Sequence, residues 1–262
     1  MIIDTHVHYN LEPLFPDWKI HWEEAQKHDI KKSVIIGTDE ETNARAIAIA
    51  ESQEHLYAAL GIHPTEQFSE SECLSSFSKL ERQIRQSKKI VAIGECGLDF
   101  FRLPVDKKQK EEEKKRQCEL FQKHIELAHQ HKLPLVIHCR DAHQELIETL
   151  SSFEVQKFVL HCMSGTLEYL QQAIALGGYI SFAGNITYKN GDHLRELVKI
   201  TPKNRLLVET DAPYLPPSQW RGQINIPKYI TETVNTLTAI LGISVDECRT
   251  ITTQNAEHFF HI

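Results

Sequence analysis

A chain of 262 residues that is 41% hydrophobic and 25% charged holds enough apolar material for a full core, which excludes a disordered or fibrous protein. Its net charge of −7 excludes bulk coating of nucleic acid, although an enzyme could still take a nucleic-acid end into a pocket that holds its own cations. The cysteines at 73, 96, 118, 139, 162 and 248 form no CxxC pair and read as free thiols. With no leader or long apolar stretch, the expected location is the cytoplasm, without membrane contact.

The chain opens on Ile2-Ile3-Asp4-Thr5-His6-Val7-His8, an apolar strand whose alternation points His6 and His8 the same way. A helix over Trp18 to Asp29 precedes a strand at Ser33–Gly37, and a helix over Glu40 to Ser52 precedes one at Tyr57–His63. A helix from near Phe68 to Arg85 leads into Ile90–Glu95. The longest helix, about Lys107 to His131, leads into Leu135–His138. Helices over Gln144–Leu150, Leu167–Leu176 and Leu194–Ile200 then precede strands at Phe158–His161, Gly178–Phe182 and Arg205–Asp211.

Eight near-continuous apolar strands alternating with helices are what a parallel sheet buried on both faces requires. No GxGxxG turn follows the first strand and no linker interrupts the chain. The fold expected is therefore a single (β/α)₈ TIM barrel spanning residues 1–262. The charge run from Lys107 to Arg116 places Lys108 and Glu112, Glu111 and Lys115, and Glu112 and Arg116 four apart. That spacing is expected of a solvated helix face rather than a nucleic-acid patch.

The strand ends carry the chemistry. The first ends in His6 and His8, the fourth in Glu95, the fifth in His138, the sixth in His161 and the eighth in Asp211. Any one of these could be a capping or hydrogen-bonded residue, but six in phase with the eightfold pattern converge on the face where barrel enzymes keep their sites. Four imidazoles and two carboxylates exceed one tetrahedral ion and suit two ions that share a carboxylate.

Several stretches resemble the TatD family of metal-dependent hydrolases, within the amidohydrolase-like barrels. They are Asp4-Thr5-His6-Val7-His8, Gly61-Ile62-His63-Pro64, Gly94-Glu95-Cys96-Gly97-Leu98-Asp99, His138-Cys139-Arg140-Asp141-Ala142, His161-Cys162-Met163-Ser164-Gly165 and Glu209-Thr210-Asp211-Ala212-Pro213-Tyr214-Leu215. Arg221-Gly222, Asn225, Pro227 and Asn255 follow. Cys96, Met163 and the pair Phe100-Phe101 depart from the usual pattern, the pair at the mouth of the site. The resemblance implies His6, His8 and Asp211 on one metal, His138 and His161 on the other, and Glu95 bridging. It also implies a deoxyribonuclease that trims single-stranded DNA ends. His6 and His8 read as ligands of the more exposed ion.

The chemistry expected is hydrolysis by a water that two divalent ions activate, the donors accepting Zn²⁺, Mg²⁺, Mn²⁺ or Co²⁺. Asp211 is the candidate general base and Glu95 the catalytic bridge. His63 either contacts a phosphate oxygen or leaving group, or caps the chain before Pro64. Arg102, Arg140 and Arg221 follow strands and suit phosphate oxygens, with loop salt bridges as the alternative; Tyr214 and Trp220 could stack a base or simply pack. DNA is the expected partner, and the expected state is monomeric. The same centre could instead act on an amide, a lactone or an aminoacyl-tRNA ester, or the barrel could be a metal-binding scaffold without activity.

Overall fold

Apolar runs too hydrophobic to face water on either side pair in parallel and in chain order, each covered by the helix that follows it. The computed structural model describes residues 1–67 and 69–262. Its sheet has the order β1 to β8: β1 Ile2–Val7, β2 Ile30–Ile36, β3 Leu56–Leu60, β4 Ile90–Asp99, β5 Leu135–Arg140, β6 Phe158–Leu160, β7 Tyr179–Phe182 and β8 Leu206–Val208. The helices are α1 Trp18–Lys27, α2 Glu40–Ser52, α3 Glu70–Gln86, α4 Lys107–His131, α5 His143–Ser152, α6 Leu167–Ala175, α7 Asp192–Ile200, α8 Ile230–Leu241 and α9 Val245–Phe260. This is the (β/α)₈ barrel. The helix start placed at Phe68 lies outside the described residues.

The seam between first and last strands is closed by backbone bonds beyond β8. Asp211 N donates to His6 O at 2.9 Å and His8 N to Ala212 O at 2.8 Å. Buried Asp4 staples the same seam, accepting from Thr210 N at 2.9 Å and from Thr210 Oγ1 at 2.6 Å. Burial pushes the Asp4 carboxyl up to about 7, against the pull of those Thr210 bonds.

Of the strand boundaries that differ from the sequence reading, two bear on the site. β4 does not stop at Glu95 but runs on to Asp99, through a register shift against β5 between Ile93 and Cys96. Gly97 permits this: its φ is +133°, and a Cβ there would lie 2.0 Å from His138 O. β8 is shorter than expected, so Glu209, Thr210 and Asp211 stand on the turn above it.

The opposite end of the barrel is plugged. Ala256, Phe259 and Phe260 of α9 pack with Ile3, Val34, Val136, Val159, Tyr179 and Leu207 in one buried apolar cluster. The aromatic rings of Phe259 and Tyr179 meet at 4.9 Å. The sequence reading located neither α8 nor α9.

Candidate metal centre

The structure brings all six proposed donors together at the mouth of the barrel. The Nε2 atoms of His6 and His8 lie 3.2 Å apart, and each is 3.6 Å from Asp211 Oδ1. Glu95 stands in the middle with its two oxygens turned to different neighbours. Oε2 is 3.6 Å from His6 Nε2 and 3.9 Å from His8 Nε2. Oε1 is 2.9 Å from His161 Nε2 and 3.0 Å from His138 Nδ1. The local sequence explains the convergence: His138 and His161 lie two residues beyond Val136 and Val159 of the apolar barrel interior, on the same face.

The donors fit divalent metal. Among the described residues, His6, His8 and Glu95 have ligand atoms all within 4.8 Å of one another, as do His6, His161 and Asp211. Imidazole and carboxylate together suit Zn²⁺, Mn²⁺ or Co²⁺. Burial would raise the Glu95 carboxyl, but the imidazoles of His161, His138 and His6 hold it well below the usual carboxylate range. Burial lowers His6 to about 4, leaving it a neutral donor.

The expectation that His6 and His8 serve the more exposed position is overturned. They are 0% and 2% exposed, whereas His138 and His63 are only partly buried and face the opening. The first strand lies deep in the seam, while β5 runs out towards solvent.

His63 is not remote from this centre, since its Nε2 is 3.7 Å from Glu95 Oε1. Thr65 N donates to its Nδ1 at 3.3 Å, so we assign the ring proton to Nε2. Burial lowers its pKa to about 4, and the ring is neutral near pH 7. It therefore offers an N–H to the cavity rather than a lone pair. Behind it, buried His124 of α4 accepts from Ile62 N at 3.0 Å and donates to Leu120 O at 2.8 Å.

Above the donors is a cavity of about 780 Å³, lined by His63, Arg102, Arg140 and Tyr214 among others. Arg140 stacks on the exposed ring of Phe101, its guanidinium carbon 3.5 Å from the ring centroid, a pose that leaves the N–H edge free. Arg221 is not among the lining residues and sits over Tyr188 instead. Trp220 has one face covered by Tyr229, with centroids 3.7 Å apart. Both lie on the long excursion after Asp211, of which Tyr214 lines the cavity.

Sequence reasoning missed two carboxylates here. Asp99 Oδ2 lies 3.2 Å from His138 Nε2, and Glu209 Oε1 lies 3.2 Å from His161 Nδ1. The charge run is also less uniform than expected. Lys108 pairs with Glu112 at 3.7 Å as on a solvated face, but Glu113 and Gln117 line the cavity. Arg116 binds Glu113 and donates to Pro64 O at 2.6 Å, tying α4 to the chain just after His63. Cys139 is no ligand candidate: burial pushes its thiol up to about 12.

The family described as TatD related DNase matches residues 3–261. The chain belongs to that family. TatD-family relatives include the uncharacterized metal-dependent hydrolase YabD of Bacillus subtilis, 34% identical over the full length of both chains. The protein named 3'-5' ssDNA/RNA exonuclease TatD of Erwinia tasmaniensis is 31% identical over 91% of each chain. The crystal structure of YjjV, a TatD homolog from Escherichia coli, matches with a TM-score of 0.91 at 30% identity, covering 100% of this chain and 98% of that one. The chain is thus a TatD-family metal-dependent hydrolase. No described helix is long and apolar enough to cross a membrane.

Proposed function

We propose that the chain is a deoxyribonuclease that hydrolyses phosphodiester bonds at single-stranded DNA ends with two divalent ions. The observation that carries the reading is the division of Glu95, with Oε2 towards His6 and His8 and Oε1 towards His138 and His161. His6, His8 and Asp211 would hold one ion, His138 and His161 the other, with Glu95 shared between them. When bound, such ions lower the pKa of a coordinated water and polarise the phosphoryl oxygen.

The side chains supply the rest. Asp211, at the mouth, accepts a proton from the attacking water. His63, neutral near pH 7, hydrogen-bonds a phosphate or leaving-group oxygen through Nε2–H and keeps its proton. Arg102 and Arg140 line the cavity and bind phosphate oxygens. The name of the Erwinia relative supports a nucleic-acid substrate.

The test is release of mononucleotides from end-labelled single-stranded DNA with Mg²⁺, Mn²⁺ or Zn²⁺, and its loss in chelator. Inactivity on DNA under every metal, with turnover of amide or ester substrates, would replace this reading by carbonyl hydrolysis.

A further inference from the structure

The two halves of the donor set are held differently from behind. His8 Nδ1 lies 3.0 Å from the carbonyl oxygen of Ile36, and His6 Nδ1 is buried without a hydrogen-bond partner. The outer nitrogens of His138 and His161 instead face the carboxylates of Asp99 and Glu209, each at 3.2 Å. Neither carboxylate is a free rotor. Asp99 Oδ1 accepts from Phe101 N at 3.0 Å, and the Asp99 backbone is clamped on both sides by the buried amide of Gln117, at 2.8 and 3.0 Å. Glu209, fully buried, accepts from Cys162 N at 2.7 Å through the same Oε1 that faces His161.

A neutral imidazole offers one lone pair, and its partner at the other nitrogen decides which atom carries it. We propose that Asp99 and Glu209 are positioning residues that fix the ring protons of His138 on Nε2 and of His161 on Nδ1. This leaves the lone pairs of His138 Nδ1 and His161 Nε2, which lie 3.3 Å apart beside Glu95 Oε1, free for the ion that the three atoms would share. The inference rests on the dinuclear reading above and assigns carboxylate support to one of its two positions alone.

The structure sets an asymmetric test. In Asp99→Asn, the Phe101 N–H keeps an oxygen at the Oδ1 place, so the amide nitrogen falls opposite His138 Nε2. As a donor it drives the ring proton onto Nδ1. In Glu209→Gln, Oε1 already accepts from both Cys162 N and His161, whereas Oε2 is buried without a partner. The amide nitrogen takes that second place and the His161 proton stays where it was. Glu209→Met removes the acceptor altogether.

Zn²⁺ binding is measured by calorimetry on wild type and the three variants, with long-range ¹H–¹⁵N histidine spectra of the Zn²⁺-loaded proteins. Wild type should bind two ions, with His138 protonated on Nε2 and His161 on Nδ1. Asp99→Asn and Glu209→Met should each weaken one ion about 10- to 100-fold and leave the other unchanged. Glu209→Gln should weaken it by less than about tenfold with the tautomer preserved.

Unchanged affinity in Asp99→Asn, equal weakening of both ions, or losses as large in Glu209→Gln as in Glu209→Met would overturn the positioning role. If Asp99→Asn does not fold, the two Glu209 variants decide the matter. Fewer than two ions in wild type would instead overturn the dinuclear reading itself.

Discussion

The two ends of the barrel are made from the same strands and yet are chemically opposite. On β5 and the β6 extension, Val136 and Val159 belong to the cluster sealed by Phe259, while two residues further on His138 and His161 stand with Glu95 in the cavity. One pleat separates a dry interior from a cluster of imidazoles and carboxylates. The lower end is packed with apolar and aromatic side chains and depends on shape and volume. The upper end tolerates loose packing but needs each nitrogen and oxygen in its place. Stability and chemistry are thus divided along the barrel axis, and substitutions at the two ends should fail in different ways.

The largest effect expected at the mouth is that of Glu95→Ala. Loss of the shared carboxylate should lower occupancy of both metal positions and reduce hydrolysis by about a thousandfold or more, roughly 4 kcal/mol or above. Metal analysis that still found two ions per chain would remove the bridge. At the plug, Phe259→Ala should cost about 3–5 kcal/mol of unfolding free energy, read by denaturant titration in chelator. The surviving folded fraction should bind metal as wild type does, and altered stoichiometry would mean that the two ends are not separable.

His124 lies between the two regimes and should reveal itself by pH. Burial lowers its pKa from 6.5 to about 4, so the unfolded chain binds its proton first as pH falls. The sign follows: the stabilisation is complete above pH 6.5 and is lost as pH falls towards 4, in total about 3 kcal/mol. In metal-free protein, the stability gap between wild type and His124→Gln should narrow by about 2 kcal/mol between pH 7.5 and 5. A gap independent of pH would show that His124 is not buried neutral. The smallest effect belongs to the rim: Arg140→Ala should raise KM for DNA about tenfold with kcat nearly unchanged. A pure kcat defect would move Arg140 from binding to chemistry.

The barrel was legible because its strands are apolar runs, and the six donors because they terminate those runs or follow them directly. Asp99 stands in the same stretch as Glu95, but the apolar run before Glu95 makes that residue read as the end of its strand. The shift in register between Ile93 and Cys96 breaks the alternation by which a reader would have counted on to Asp99. Glu209 was hidden by its neighbour: Asp211 two positions later took the obvious role, and nothing local says that Glu209 reaches the ring of His161. Arg116 and Gln117 sit in a run whose i,i+4 charges describe a solvated helix, and only the packing of α4 on β4 turns that turn inward. Contacts across the chain set these roles, and no local period encodes them.

The seam has a temporal consequence. Asp4 meets Thr210 across 206 positions, and the backbones of His6 and His8 are tied to Asp211 and Ala212. At about 5–20 residues per second, the opening strand waits on the order of ten seconds or more for its partner to be synthesised. Loop closure over that distance precedes any assembly of the donors from the two termini. A half-made chain therefore holds pieces of a hydrolase but no hydrolase, and only when the barrel shuts do the donors from its two ends meet.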